Sequence, residues 1–247
     1  MLSGFEIAFV LFALISSAFI KGSLGLGFST ICLAMLVHVL DLKTAISIVL
    51  LPSLLSNALV LLDTGHIRMS IQQFWLMLLM SVPGMFIGFQ LLKQDNNTWS
   101  LLILSAVLVI YGIWGYRNHH KRLPIKSAPK ANPVVGICTG IVNGATGSQV
   151  FPIMPYLLSL PIKKDLLVAT VNLSFSLNSL IMLVALFSYD LIDRGSSVYF
   201  SLAIVPVLAG VWIGNKVRKK MNDTLYRKLA MVLMVALGLL LVVREVS

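Results

Sequence analysis

Lys21 stands within a long apolar stretch, in the run Lys21-Gly22-Ser23-Leu24-Gly25-Leu26-Gly27, and its charge in that setting implies chemistry. An ionisable side chain at membrane depth costs at least about 2.5 kcal/mol and persists where it has a partner or a function. An ammonium among glycines, whose backbone lets a ligand approach closely, suits an anion. A second break, Asn143-Gly144-Ala145-Thr146-Gly147-Ser148-Gln149, offers amide and hydroxyl groups in the same way. The substrate-binding candidates are therefore Lys21, Gly22, Ser23, Gly25 and Gly27 in the first run. In the second they are Asn143, Gly144, Thr146, Gly147, Ser148 and Gln149. Asn57 and Asn178 join them as polar residues at matching places in two apolar runs, where both path lining and plain interhelical hydrogen bonding are open. For Lys21 the alternative is a stem that snorkels to the outer surface, and for the glycines it is loop flexibility.

Other chemistries find little support. The chain has no HExxH, no paired intramembrane carboxylates and no Ser/His/Asp arrangement, so no hydrolytic site, metal or cofactor is expected. His119 and His120 fall in a basic loop and read as solvated. Cys32 and Cys138 lie in apolar segments without CxxC spacing and read as membrane-core packing residues.

The elements that must hold these residues are membrane helices. Of the 247 residues 58% are hydrophobic and only 11% charged, with a mean hydropathy of +0.93, too apolar to cover a water-soluble globule. Ten apolar runs follow one another at residues 3–20, 24–40, 45–62, 74–92, 99–116, 134–143, 150–160, 166–189, 198–217 and 226–243. The sixth and seventh together occupy little more than one crossing, so they read as two half-helices meeting at a polar, glycine-bearing tip, a re-entrant hairpin or a broken helix. The first two repeat this plan around the Lys21 run. A shift of about 122 residues superposes Gly22 on Gly144 and Gly25 on Gly147, and Asn57 falls beside Asn178 with one residue of slippage. Gly136, Gly140 and Gly144, four apart, read as a close helix-packing face.

Charge bias orients the chain. Most of the 19 Lys and Arg fall in three groups: Arg117, Lys121, Arg122, Lys126 and Lys130; Lys216, Arg218, Lys219, Lys220, Arg227 and Lys228; and Lys163 with Lys164. Retention of basic loops in the cytoplasm places these groups and Arg68 inside, leaving Lys43, Lys93, Arg194 and Arg244 outside. The same rule accounts for the net charge of +10 without a nucleic-acid partner. The fold expected is an all-α integral membrane protein of two inverted-topology repeats, each a re-entrant or broken-helix hairpin followed by three transmembrane helices. Residues 1–116 form repeat 1, 117–133 a basic cytoplasmic linker and 134–247 repeat 2 of a single membrane domain. Such repeats are the usual frame of secondary transporters, with the solute held near the midplane by half-helix N-termini. Those half-helices are expected to start near Leu24 and Gln149.

The glycine tip at Lys21 to Gly27, its second copy at Gly140 to Gly147, the run Phe151-Pro152-Ile153-Met154-Pro155 and the basic central loop together resemble the sulfite-exporter (TauE/SafE-like) family of bacterial permeases. The resemblance covers essentially the whole chain. It implies a multi-pass protein of the bacterial cytoplasmic (inner) membrane that moves sulfite, thiosulfate, sulfonates or related small anions without ATP hydrolysis of its own. The tips depart from the family's longer glycine runs followed by proline: here they continue as Leu26-Gly27-Phe28-Ser29-Thr30 and Ser148-Gln149-Val150-Phe151-Pro152. The partners expected are a small anionic solute and the lipid bilayer, with protons or sodium as candidate coupling ions. An anion channel would use the same amide-lined constriction without saturation, and a membrane-embedded enzyme would need clustered acid, base or metal ligands at one depth.

Overall fold

The computed structural model describes residues 4–40, 42–92, 128–147, 149–188, 196–226, 228–229 and 232–233. Within these, eight helices follow in order: α1 Gly4–Leu24, α2 Phe28–Leu36, α3 Leu42–Thr64, α4 Ile67–Leu92, α5 Ala128–Thr146, α6 Ile153–Ser159, α7 Lys164–Ser188 and α8 Ser196–Lys220. The run 99–116, most of 117–133 and most of 226–243 fall outside the described residues. Among the described residues four helices, within α1, α3, α4 and α7, are long and apolar enough to cross a membrane.

The surface matches lipid as the solvent. Phe5, Phe12, Trp75, Phe86, Val184 and Trp212 are exposed, while Lys21, Asn57, Asn143, Asn172 and Asn178 are buried. That inversion is what a chain surrounded by hydrocarbon adopts, because polar groups must find partners inside the protein. Cys32 packs in the interior, whereas Cys138 is exposed on α5.

Each hairpin turns on a left-handed glycine. α1 runs on through Lys21 to Leu24, past the expected break, and ends where Gly25 takes φ 70° and donates its amide to the Lys21 carbonyl at 2.6 Å. Gly147 does the same after α5, with φ 70° and a 2.8 Å bond to the Asn143 carbonyl. Only glycine adopts this closing conformation without strain. The second arms start later than expected, α2 at Phe28 after Gly27 (φ 88°) and α6 at Ile153, because two or more residues are needed to reverse the chain at each tip. α5 begins at Ala128 and carries Pro133 within it, so the last residues of the stretch read as a linker are helical. Pro52 lies inside α3 and Pro83 inside α4, yet the break in α4's backbone falls at Phe74 (φ −125°, ψ 15°).

Packing is most extensive between α4 and α5, then between α1 and α8, followed by α3 with α7. α4 also packs on α7, and α3 on α8 to a similar extent. Glycines make the first two contacts close. A Cβ at Gly136, Gly140 or Gly144 would lie 2.3, 2.1 or 2.4 Å from the carbonyl oxygen of Met77, Ser81 or Met85. One at Gly22 or Gly214 would lie 2.3 or 2.4 Å from that of Val211 or Phe19. The expected packing role of Gly136, Gly140 and Gly144 is what the backbone contacts require.

One end of the bundle is charged. Asp63, at the end of α3, accepts from Arg218 at 2.5 Å and from Lys219 at 2.6 Å, both in the last turn of α8. At the start of α7, Lys164 donates to the Met221 carbonyl. These residues share the end that charge bias assigns to the cytoplasm.

Candidate functional site

α1 delivers Lys21 to the interior through its own length: a 21-residue helix starting at Gly4 carries its last turn deep into the bundle. The ammonium is 1% exposed, donates to Asn57 Oδ1 at 2.5 Å and sits 4.9 Å from the centroid of the Phe175 ring. The snorkelling alternative therefore does not hold. Among the described residues no carboxylate pairs with Lys21, so its charge is met by an amide oxygen and an aromatic face. Because an ammonium only donates, Asn57 must turn its oxygen toward Lys21 and its Nδ2 away, and Nδ2 is buried with no acceptor among the described residues.

The second tip is organised differently. Gln149 Nε2 donates to Ser179 Oγ at 2.5 Å and lies 3.4 Å from the Phe175 carbonyl, leaving Oε1 buried with no donor among the described residues. Asn143 Nδ2 is likewise buried with no acceptor among them. Both residues, with Gly147 and with Ser29 from the first turn of α2, line a cavity with room for about one water molecule. Ser29 in turn pairs with Ser53 of α3 at 2.8 Å. The start of one hairpin's second arm thus meets the tip of the other hairpin. Phe175 joins the two tips, its ring facing Lys21 and its carbonyl facing Gln149.

The remaining candidates separate by what holds them. The Gly25 carbonyl accepts from Asn172 Nδ2 at 2.7 Å, and a Cβ at Gly25 would lie 2.5 Å from Val168 Cγ1. Its counterpart Gly147 faces Ile46, with 2.9 Å to Cγ1. Gly27 caps α2 from a left-handed conformation. Asn178 Oδ1 is bonded to Ser81 Oγ at 2.9 Å across to α4, and its Nδ2 has no acceptor among the described residues. The hydroxyls of Ser23 and Thr146 bond the carbonyls four residues back, at 2.9 and 2.7 Å, within their own helices. Gly22 and Gly144 pack against the backbones of α8 and α4, where an added Cβ would meet main-chain atoms. Ser148 lies outside the described residues.

Sequence reasoning missed Asn172, Ser179, Ser29 and Phe175. Asn172 had a signal, being an amide within an apolar run, but the repeat offset sets it beside Leu50, so the duplication does not mark it. Phe175 carries no polar group to draw notice.

Among the described residues the assembled interior presents the Lys21 ammonium without a carboxylate partner, amide N–H groups of Asn57, Asn143 and Asn178 without acceptors, and amide oxygens of Gln149 and Asn172 without donors. A buried cation without a counter-ion in a low-dielectric setting favours an anion, which the orphan N–H groups can also bind. No group of three or more His, Cys, Asp or Glu suited to a metal occurs among the described residues.

Residues 9–241 match the model of the family described as Sulfite exporter TauE/SafE. No curated protein and no solved structure matches the chain.

Proposed function

Because the chain belongs to the sulfite exporter TauE/SafE family of membrane transporters, we propose that it is a secondary transporter for small oxyanions. Sulfite, thiosulfate, sulfonates and related organic anions are its solutes. It works in the bacterial cytoplasmic membrane, coupled to protons or sodium. The observation that carries this reading is Lys21, a fully buried ammonium with no carboxylate partner among the described residues and its position fixed by Asn57. A charge of that kind is stabilised when an anion arrives, and the anion is desolvated at less cost because the charge awaits it.

Two inverted repeats belong to the same reading. Supporting them, the helix contacts exchange when α1, α3 and α4 are swapped for α5, α7 and α8: α1 on α8 for α5 on α4, and α3 on α8 for α7 on α4. The tips exchange too, Gly25 against Val168 for Gly147 against Ile46. A carrier is favoured over an open channel by the size of the cavity between the tips, since space for about one water molecule does not pass an oxyanion without a change of conformation.

Counterflow of labelled sulfite into proteoliposomes preloaded with unlabelled sulfite tests the reading, with thiosulfate, sulfonates, acetate and chloride as competitors. Saturable exchange with competition from the sulfur oxyanions is expected; conductance without saturation would establish the channel instead. An added prediction concerns Asn57→Asp. A carboxylate at the position now 2.5 Å from Lys21 supplies a tethered counter-ion, so the exchange KM should rise about tenfold or more, as for loss of a charge-assisted hydrogen bond. An unchanged KM would remove Asn57 and Lys21 from the solute's position.

A further inference from the structure

We propose that Arg218 forms a second oxyanion-binding position at the charged end of the bundle, in which the Asp63 carboxylate stands in for the solute. This rests on the transporter reading above and adds a step to it.

Arg218 is 2% exposed, Asp63 is partly exposed and Lys219 is open to solvent. The carboxylate therefore bridges an exposed cation and a buried one, with Arg218 Nη2 and Lys219 Nζ each holding a different oxygen. Beside this bridge Arg218 Nη1 is buried with no acceptor among the described residues. A simple surface latch would have left the guanidinium in water and its nitrogens solvated. Here a charged donor is buried without a partner among the described residues, which costs free energy that an arriving acceptor would relieve.

Its place relative to Lys21 gives the direction. Gly22, next to Lys21, packs on Gly214, and Arg218 lies one helical turn beyond Gly214 in α8. Lys219, Arg218 and Lys21 thus form a series of positive charges running from exposed to buried, with one carboxylate among them. An anion leaving Lys21 toward this end meets Arg218, and binding there means displacing Asp63. The guanidinium fork matches a ligand with two or more terminal oxygens, such as sulfite, thiosulfate or a sulfonate, and discriminates against a spherical halide. Asp63 mimics such a ligand with its two oxygens and keeps the charge series from standing open to any anion.

The test compares sulfite exchange at the two faces in right-side-out and inside-out proteoliposomes. At the face bearing Asp63, Arg218→Gln should raise KM about tenfold, the effect of losing a hydrogen bond from a charged donor. The KM at the opposite face should not change. Asp63→Asn removes the internal competitor and should lower KM severalfold at the same face only. Thermal unfolding in detergent adds a readout that needs no flux: sulfite should raise the melting temperature of Asp63→Asn more than that of the wild type. If both variants change KM equally at the two faces, or sulfite stabilises Asp63→Asn no better than wild type, the pair is a structural tie and the proposal fails. Retained exchange that depends on Lys21 but ignores Arg218 would overturn this inference alone, whereas a wild type without sulfite exchange would overturn the transporter reading and this step with it.

Discussion

Replacing Lys21 by alanine lowers saturable sulfite counterflow by about 100-fold or more, the scale expected when a buried charge-assisted contact worth several kcal/mol is lost. Among the described residues no other charged side chain contacts Asn57 or Phe175 in place of Lys21. Without it the oxyanion would enter a site of neutral donors, too few to offset its desolvation. Alanine also leaves Asn57 Oδ1 buried without a donor, at a cost of about 1–3 kcal/mol in stability. Lys21→Met, which fills the same space without charge, shares that defect, so equal losses in both variants identify charge rather than volume. Lys21→Arg keeps the charge on a longer, planar head that cannot keep the 2.5 Å contact to Asn57 unchanged, and should retain measurable exchange with a raised KM. Exchange within threefold of wild type in Lys21→Ala, measured on protein that stays monodisperse, would separate Lys21 from the solute altogether.

Gly140→Leu is expected to yield no folded protein. The added Cβ alone would stand 2.1 Å from the Ser81 carbonyl oxygen and 2.7 Å from the Met85 amide nitrogen, all backbone atoms that cannot step aside. α4 and α5 would have to separate along their whole contact, the most extensive among the described helices. Overpacking of ordinary cores costs about 1–3 kcal/mol, and forcing two backbones apart exceeds that in a fold whose net stability is about 5–15 kcal/mol. Size-exclusion chromatography in mild detergent reads the outcome as loss of the monodisperse peak. Gly4→Leu is the control, because nothing lies within 4 Å of a Cβ there, and it should elute as wild type. A Gly140→Leu protein indistinguishable from that control would mean the two helices do not touch as described.

Much of this was legible in the sequence, for identifiable reasons. Helices in lipid must satisfy their own backbone, so apolar run length translates into helix length, and α3 and α7 follow the runs at 45–62 and 166–189 closely, while α4 begins at Ile67, about two turns before the run at 74–92, and breaks its backbone at Phe74, where that run starts. Gly25 and Gly147 were recognisable because a left-handed closure demands glycine in both copies. The arms of the hairpins were misjudged at their ends: Lys21-Gly22-Ser23-Leu24 reads as a break by composition, yet it stays helical because Gly22 is packed on α8 and the bundle supplies what local propensity lacks. Of the candidate site, Lys21 and Asn57 were found by their oddity in apolar surroundings. Arg218 read only as one of a group of basic cytoplasmic residues and Asp63 drew no notice, since their meeting depends on a contact about 155 residues apart that no local pattern encodes.

The glycine contacts also decide what can travel as a unit. They weld α1 to α8 and α4 to α5, backbone against backbone, so each welded pair takes one helix from the first part of the chain and one from the second. The two parts of the chain therefore cannot rock past each other as separate blocks, since every such stroke would have to shear two glycine seams.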